Sequence, residues 1–391
     1  MTDPAARSLA AATRAVHAGE RQQLPRRAAA APIVQTAPFV FGSVAELAAG
    51  FASEALAGVY SRYHNPTVRV VEEKLAALEG TEDAVAFASG MAAISGALAA
   101  SLRSGDLLLA ARELYGGTHS WLGWLSEHHP EIATEILPLA ELGPRLSDPG
   151  RPAPRLVFVE TPTNPLLDCC DLTQLAATCR RRDALLVVDN TFATPVLQNP
   201  LGLGADLVVH SATKYLGGHS DVTAGLVAGR AALLAPVRRL ARVGGACLDP
   251  HAAFLLARGM KTLALRIERQ SATAARLAEW LRGQPVVRQV WYPGWHPLGR
   301  AQMRAGGGML ACDLGGAAAA ERALDRLQVF QLIPSLGGVE SGVSVPALTS
   351  HRQLSPSERQ AQGIGDGLVR LSCGIEDPDD LEADLEQALA G

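Results

Sequence analysis

Between residues 60 and 250 the chain repeats one pattern, a short and continuous apolar run followed by a segment long enough for a helix. The runs are "DAVAF", "DLLLAA", "RLVFVE", "ALLVVD", "DLVVHS" and "GLVAG"; "GMAAISGALAASL" and "DLTQLAATCRRR" are two of the intervening segments. A strand that is apolar along its whole length has both faces covered, and helix-length connections join parallel neighbours. The pattern therefore predicts an α/β domain built on a mostly parallel sheet with helices on both sides.

In such sheets ligands sit beyond the carboxyl ends of the strands. Several runs end there in residues able to do chemistry: Glu160, Asp189, and His210 with Ser211. After residue 250 the pattern turns helical in "AAFLLARGMKTLALRIERQSATAARLAEWL", continues through strand-like "GGMLACDL" and "LVRLSCGIE", and closes on the acidic helix "DPDDLEADLEQALA". That is a smaller α+β unit. Residues 1–58 mix short apolar pieces with loop-like "ERQQLPRRAAAAP", as an arm lying on another surface would. The expected division is an arm at 1–58, a large domain at 59–250 and a small domain at 251–391, with "SDPGRPAPR" as a surface connection inside the large domain.

The remaining composition excludes classes. A net charge of −4 without a basic run argues against a nucleic-acid partner. No stretch of 18 apolar residues marks a membrane span, and six cysteines without a C-x-x-C pair mark neither a metal site nor a disulfide framework. A cytoplasmic enzyme is the expectation.

Only three of the 35 basic residues are lysines: Lys74, Lys214 and Lys261. Lys74 lies among the glutamates of "VVEEKLAALEG" and reads as an exposed helix charge; Lys261 has no evident chemical neighbour. Lys214 directly follows the strand "DLVVHS", with Ser211 and Thr213 beside it. Hydroxyls that donate to a phosphate, next to an amine that attacks a carbonyl carbon, fit an aldehyde cofactor carrying a phosphate, and pyridoxal 5′-phosphate meets both demands. A carboxylate must then keep its ring nitrogen protonated. Asp189 is the candidate for that, with an Asx turn at the strand exit as its other reading. The amides of Gly90 and Met91, opening an Ala-rich helix behind Ser89, would face the anion, unless Gly90 only lets a strand turn into a helix. Tyr115, after "DLLLAA", could stack on the ring or be an ordinary half-buried tyrosine.

Taken together, "AVHAGE", "YSRYHNPT", "ASGMAA", "YGGT", "ETPTNP", "SATKYLGGHSD", "SLGGVES" and "VRLSCGIED" resemble the motifs of the Cys/Met metabolism enzymes that use pyridoxal phosphate. The likeness spans nearly the whole chain. It implies the fold-type-I aminotransferase architecture, with Lys214 as Schiff-base lysine, Asp189 at the pyridine nitrogen, Tyr115 stacked and acting as acid or base, and Gly90, Met91, Ser211 and Thr213 on the phosphate. It further implies that Tyr60 and Arg62 reach the phosphate of a neighbouring subunit, so that a dimer completes each site within a homotetramer. Arg370, helped by Ser335 and Asn164, would clamp the carboxylate of an amino-acid substrate, unless it forms a surface salt bridge.

The resemblance implies γ-elimination or γ-replacement on homoserine-derived or cystathionine-like amino acids, of the cystathionine γ-lyase/γ-synthase type. O-acylhomoserine sulfhydrylase, methionine γ-lyase and β-lyase are its alternatives, and a regulatory binding protein on the same fold is a fourth. Gly117 stands where the family's methionine γ-lyases carry cysteine, which disfavours that activity. Val59 and Ser120 stand where the cystathionine enzymes carry charges, leaving Glu340 alone of the distal set. The far end of the substrate is thus expected to be smaller or less polar than that of cystathionine.

Overall fold

The computed structural model describes residues 9–20, 28–53 and 58–390. Much of the loop-like part of the expected arm, 21–27, lies outside the described residues, as do 1–8, 54–57 and 391.

Seven strands form the larger sheet: β1 (Asp83–Phe87), β2 (Leu107–Ala111), β3 (Ala133–Leu137), β4 (Leu156–Glu160), β5 (Leu185–Asp189), β6 (Leu207–Ser211) and β7 (Gly225–Gly229). Their order is β1-β7-β6-β5-β4-β2-β3. From β6 to β3 every neighbour is parallel, and β7 runs antiparallel between β6 and β1. The expectation of a mostly parallel sheet holds.

Both faces are covered, as the continuous apolar runs require. Along β1, Val85 and Phe87 join a core with Ala93, Ile94 and Leu98 of the helix Gly90–Ser101, whereas Ala84 and Ala86 join a second core with Val71, Leu75 and Leu78 of the helix Pro66–Glu79. Successive strand residues point to opposite faces, so an apolar residue at every position is what a covered sheet demands.

A second, five-stranded sheet has the order β10-β11-β12-β9-β8, with β8 at Gln289–Trp291, β9 at Met309–Asp313, β10 at Gln331–Leu332, β11 at Gly342–Ser344 and β12 at Leu368–Ser372. The helix Leu263–Arg282 joins the two halves: Leu263 and Ile267 pack into the core under the large sheet, while Leu277 and Leu281 pack under the small one with Leu381 and Leu385 of the C-terminal helix.

Two elements lack the expected signal. Strand β3, "ATEIL", is an edge strand with polar residues between its apolar ones, so no continuous run announces it. The helix Ala231–Gly244 carries Pro236 inside it, which obscures its periodicity.

Lys74 corrects the reading of the sequence. Its side chain is fully buried, and Nζ donates to the carbonyls of Ala15 (2.8 Å) and Val16 (3.3 Å) and lies 3.3 Å from Glu20. The same Glu20 oxygen is 3.1 Å from Lys261. Glu72 and Glu79, taken as signs of an exposed face, are themselves buried. The short helix Ala11–His17 covers this side of Pro66–Glu79 and supplies the carbonyls, a contact no local spacing could announce.

Candidate active site

The carboxyl ends of β4, β5 and β6 open into a cavity of about 230 Å³. Its wall carries Glu160 and Asp189 from adjacent strands, Ser211 at the end of β6 with Thr213 and Lys214 after it, the helix start at Ser89 to Met91, Tyr115 after β2, and Asn164 and Arg370. Residues from four strand ends and from the second sheet therefore meet in one place.

One end is built to receive an anion. Ser89 caps the helix Gly90–Ser101 by accepting from the amide of Ala92 (3.1 Å), and the amides of Gly90 and Met91 find no acceptor among the described residues. Free amides at the positive end of a helix dipole attract a phosphate. Gly90 is required for more than a turn: a Cβ there would lie 2.7 Å from Ser211 Oγ, so only glycine brings the helix this close to β6. Thr213 donates its hydroxyl to the Ala224 carbonyl (3.2 Å) and accepts from the Ala224 amide (3.0 Å), which fixes the loop that carries Lys214.

The same cavity also holds a buried carboxylate. Asp189 is 5% exposed, and its Oδ1 accepts from both the amide (3.0 Å) and the hydroxyl (2.5 Å) of Thr191. The Asx turn considered from the sequence is present, and it coexists with a place in the cavity wall. Burial pushes the Asp189 carboxyl up, against which the Thr191 donors and His210 stabilise its ionised form. Thr191 Oγ1 in turn accepts from the Ser211 amide (2.9 Å), linking β5 to β6.

Lys214 lines the same cavity. Its Nζ donates to Ser335 Oγ (2.8 Å), and burial, reinforced by the positive charge of Arg370, brings the amine down to about 8. Arg370 is 4% exposed and donates through one guanidinium nitrogen to Asn164 Oδ1 (2.8 Å). Burial lowers it to about 10, so it stays cationic at neutral pH. Among the described residues Arg370 forms no salt bridge, so the surface pairing weighed for it is not found there.

Tyr60, Arg62 and Glu340 do not line this cavity. Arg62 sits 4.6 Å over the Tyr63 ring and donates to the Arg242 carbonyl, and Tyr60 is 40% exposed. Glu340 accepts from Ser220 Oγ at 3.1 Å. Conversely, Thr191, Phe192, Pro334 and Leu336 line the cavity without having been singled out. Only Thr191 left a trace in the sequence, a hydroxyl two residues beyond an aspartate at a strand exit.

Acceptor-free amides, a buried carboxylate and a lysine amine in one cavity match the three polar groups that pyridoxal phosphate needs. On such a scaffold the cavity defines a fold-type-I pyridoxal-phosphate-dependent enzyme. The chain belongs to the Cys/Met metabolism PLP-dependent enzyme family, whose model matches residues 12–390. An L-methionine γ-lyase of Pseudomonas putida is 46% identical over 97% of this chain and 96% of its own length, and an O-succinylhomoserine sulfhydrylase of Pseudomonas aeruginosa is 42% identical over 97% and 94%. Among solved structures, the cystathionine γ-synthase of Xanthomonas oryzae pv. oryzae superposes with a TM-score of 0.91 at 39% identity, covering 98% of both chains. These relatives differ in activity at similar identity. Among the described residues no helix is long and apolar enough to cross a membrane, and no cluster of side chains could hold a metal ion.

Proposed function

We propose that this enzyme carries out γ-elimination or γ-replacement on a homoserine-derived or cystathionine-like amino acid, preferring a γ-substituent smaller or less charged than the distal half of cystathionine. The supporting observation is that Arg370, held by Asn164, and Lys214, held by Ser335, line one cavity. Arg370 pairs with the substrate carboxylate through two parallel hydrogen bonds while Asn164 fixes the guanidinium plane. That holds the substrate Cα beside the Lys214 amine, which takes its proton; with the amine at about 8, a useful fraction is neutral near physiological pH. Bound pyridoxal phosphate supplies the electron sink for this chemistry. Ser335 holds Nζ between proton transfers, and the hydroxyl of Tyr115, which lines the cavity, serves the leaving group.

The preference for an uncharged distal group follows from what the outer positions lack. Val59 is buried and apolar, and Ser120 spends its hydroxyl on the Gly116 carbonyl (3.0 Å). Each missing charge-assisted contact withholds about 1.5–3 kcal/mol from a zwitterionic end. A second reading, methionine γ-lyase, is favoured by the 46% identity to such an enzyme. Against it, Gly117 stands where those enzymes carry a cysteine, and a Cβ at this position would require the Tyr115 ring, 2.5 Å away, to shift.

The same proposal includes the boundaries 1–58, 59–250 and 251–391, a cytoplasmic setting, and a homo-oligomer in which Tyr60 and Arg62 serve a neighbour's phosphate. The test is to incubate the holoenzyme separately with L-cystathionine, L-methionine, and O-acetyl- or O-succinylhomoserine with and without thiols, following 2-oxobutyrate and thioether products. Highest kcat/KM on an acylhomoserine or a short thioether supports the proposal. Highest kcat/KM on cystathionine overturns the distal preference, and turnover without loss of the γ-substituent overturns γ-chemistry.

A further inference from the structure

Glu160 and Asp189 close adjacent parallel strands in exact register, and both carboxyls face the same cavity. Glu160 is 4% exposed and Asp189 5%, so neither gains much from bulk water. The two do not share the same donors. Asp189 receives two hydrogen bonds from Thr191, whereas Glu160 receives one, at Oε2, from the Tyr115 amide (2.8 Å). Nothing in the reaction derived above uses Glu160.

We infer that Glu160 is a positioning residue that holds the site's shared proton: it stays a neutral carboxylic acid, so that Asp189 alone carries the negative charge, while its carbonyl oxygen anchors Tyr115. Two buried carboxylates side by side cannot both ionise cheaply, and the proton settles on the one with fewer donors. The groups acting on Glu160 are Asp189 on β5, the Tyr115 amide and Arg370 on β12, with His210 acting on Asp189 from β6, and Lys214 after β6 lines the same cavity. Arg370 is the cation that favours an ionised Glu160, and the substrate carboxylate claims Arg370 on binding. Burial first and Asp189 second push the Glu160 carboxyl well above the carboxylate range.

The anchoring half is geometric. Tyr115 is the residue preceding the helix Gly116–His128, and no side chain of its own caps that helix. The hydrogen bond that its backbone N–H donates to Glu160 fixes where the chain leaves β2, and hence where the phenol enters the cavity. A neutral carboxyl does this without adding a second charge beside the pyridine-nitrogen partner. The inference uses the cofactor site but not the choice of γ-substituent.

The experiment compares wild type with Glu160→Gln and Glu160→Ala. Infrared difference spectra at neutral pH should show a protonated-carboxyl band in wild type that Glu160→Gln removes. Glu160→Gln, neutral and nearly isosteric, should retain cofactor content, the pH titration of the visible absorbance, and kcat/KM within about fivefold. Glu160→Ala, which orphans the Tyr115 amide, should lose about tenfold to a hundredfold in kcat/KM while still binding cofactor. No such band in wild type, a band that survives Glu160→Gln, or a displaced pH titration in Glu160→Gln would each place the proton elsewhere and overturn the inference.

Discussion

Lys214 Nζ and Ser335 Oγ lie 2.8 Å apart, joining the loop after β6 of the large sheet to the segment between β10 and β11 of the small one. The Lys214 amine is thus held by a residue 121 positions away, and the two halves of the chain are coupled at this amine.

Removing that link should affect turnover more than folding. Ser335→Ala keeps the backbone and removes one hydrogen bond to a charged group, worth about 1.5–3 kcal/mol. The expected result is a roughly tenfold to hundredfold fall in kcat with little change in Tm. An unchanged kcat would show that Ser335 does not serve Lys214 during the reaction.

Cofactor incorporation should depend on pH through the free amine. With Lys214 brought down to about 8, apoenzyme should take up pyridoxal phosphate faster as pH rises through that value, and level off above it. The stability sign is the same. The folded state binds fewer protons than the unfolded state between about 8 and the ordinary lysine value, so apoenzyme stability should rise across that interval. Incorporation rates that climb only near pH 10 would contradict the burial argument.

Arg370 should act on substrate and not on cofactor. Arg370→Lys keeps a charge but loses the planar fork, so KM should rise by at least about tenfold with the visible absorbance intact. Loss of cofactor from this variant would mean that Arg370 supports the cofactor cradle instead.

Lys74 is expected to matter for stability alone. Lys74→Met preserves most of the volume but leaves the Ala15 and Val16 carbonyls without their donor, while Glu20 keeps Lys261. The loss should be about 3 kcal/mol, the lower end of the range for breaking a buried ion pair. A lowered Tm with unchanged kcat and KM is the predicted outcome; a change in kcat without a change in Tm would refute it.

If Arg62 serves the neighbouring subunit, two inactive proteins should rescue one another. Arg62→Ala mixed and refolded with Lys214→Ala should regain part of the wild-type activity, because some hybrid sites combine an intact Arg62 with an intact Lys214. No recovery in a mixture shown to form hybrids would confine Arg62 to its own subunit.

Much of the site could be read because strand ends are local. An apolar run stopping at Asp189 or Ser211 marks both the strand and the edge where a ligand meets it, and the glycine after Ser89 marks a helix start. Edge strand β3 and the helix around Pro236 gave no comparable signal, since one is only half covered and the other carries its own breaker.

The sequence by itself determined the alternation of strand and helix, and with it the sheet edge where Lys214, Asp189 and the Gly90 turn belong. What only the tertiary structure decided is the state of the ionisable groups: Lys74 buried on Ala15, Glu160 set beside Asp189, and Arg370 brought across to Asn164. Strand and helix patterns arise from neighbours in the chain, whereas desolvation and charge pairing depend on which distant segments fold against each group.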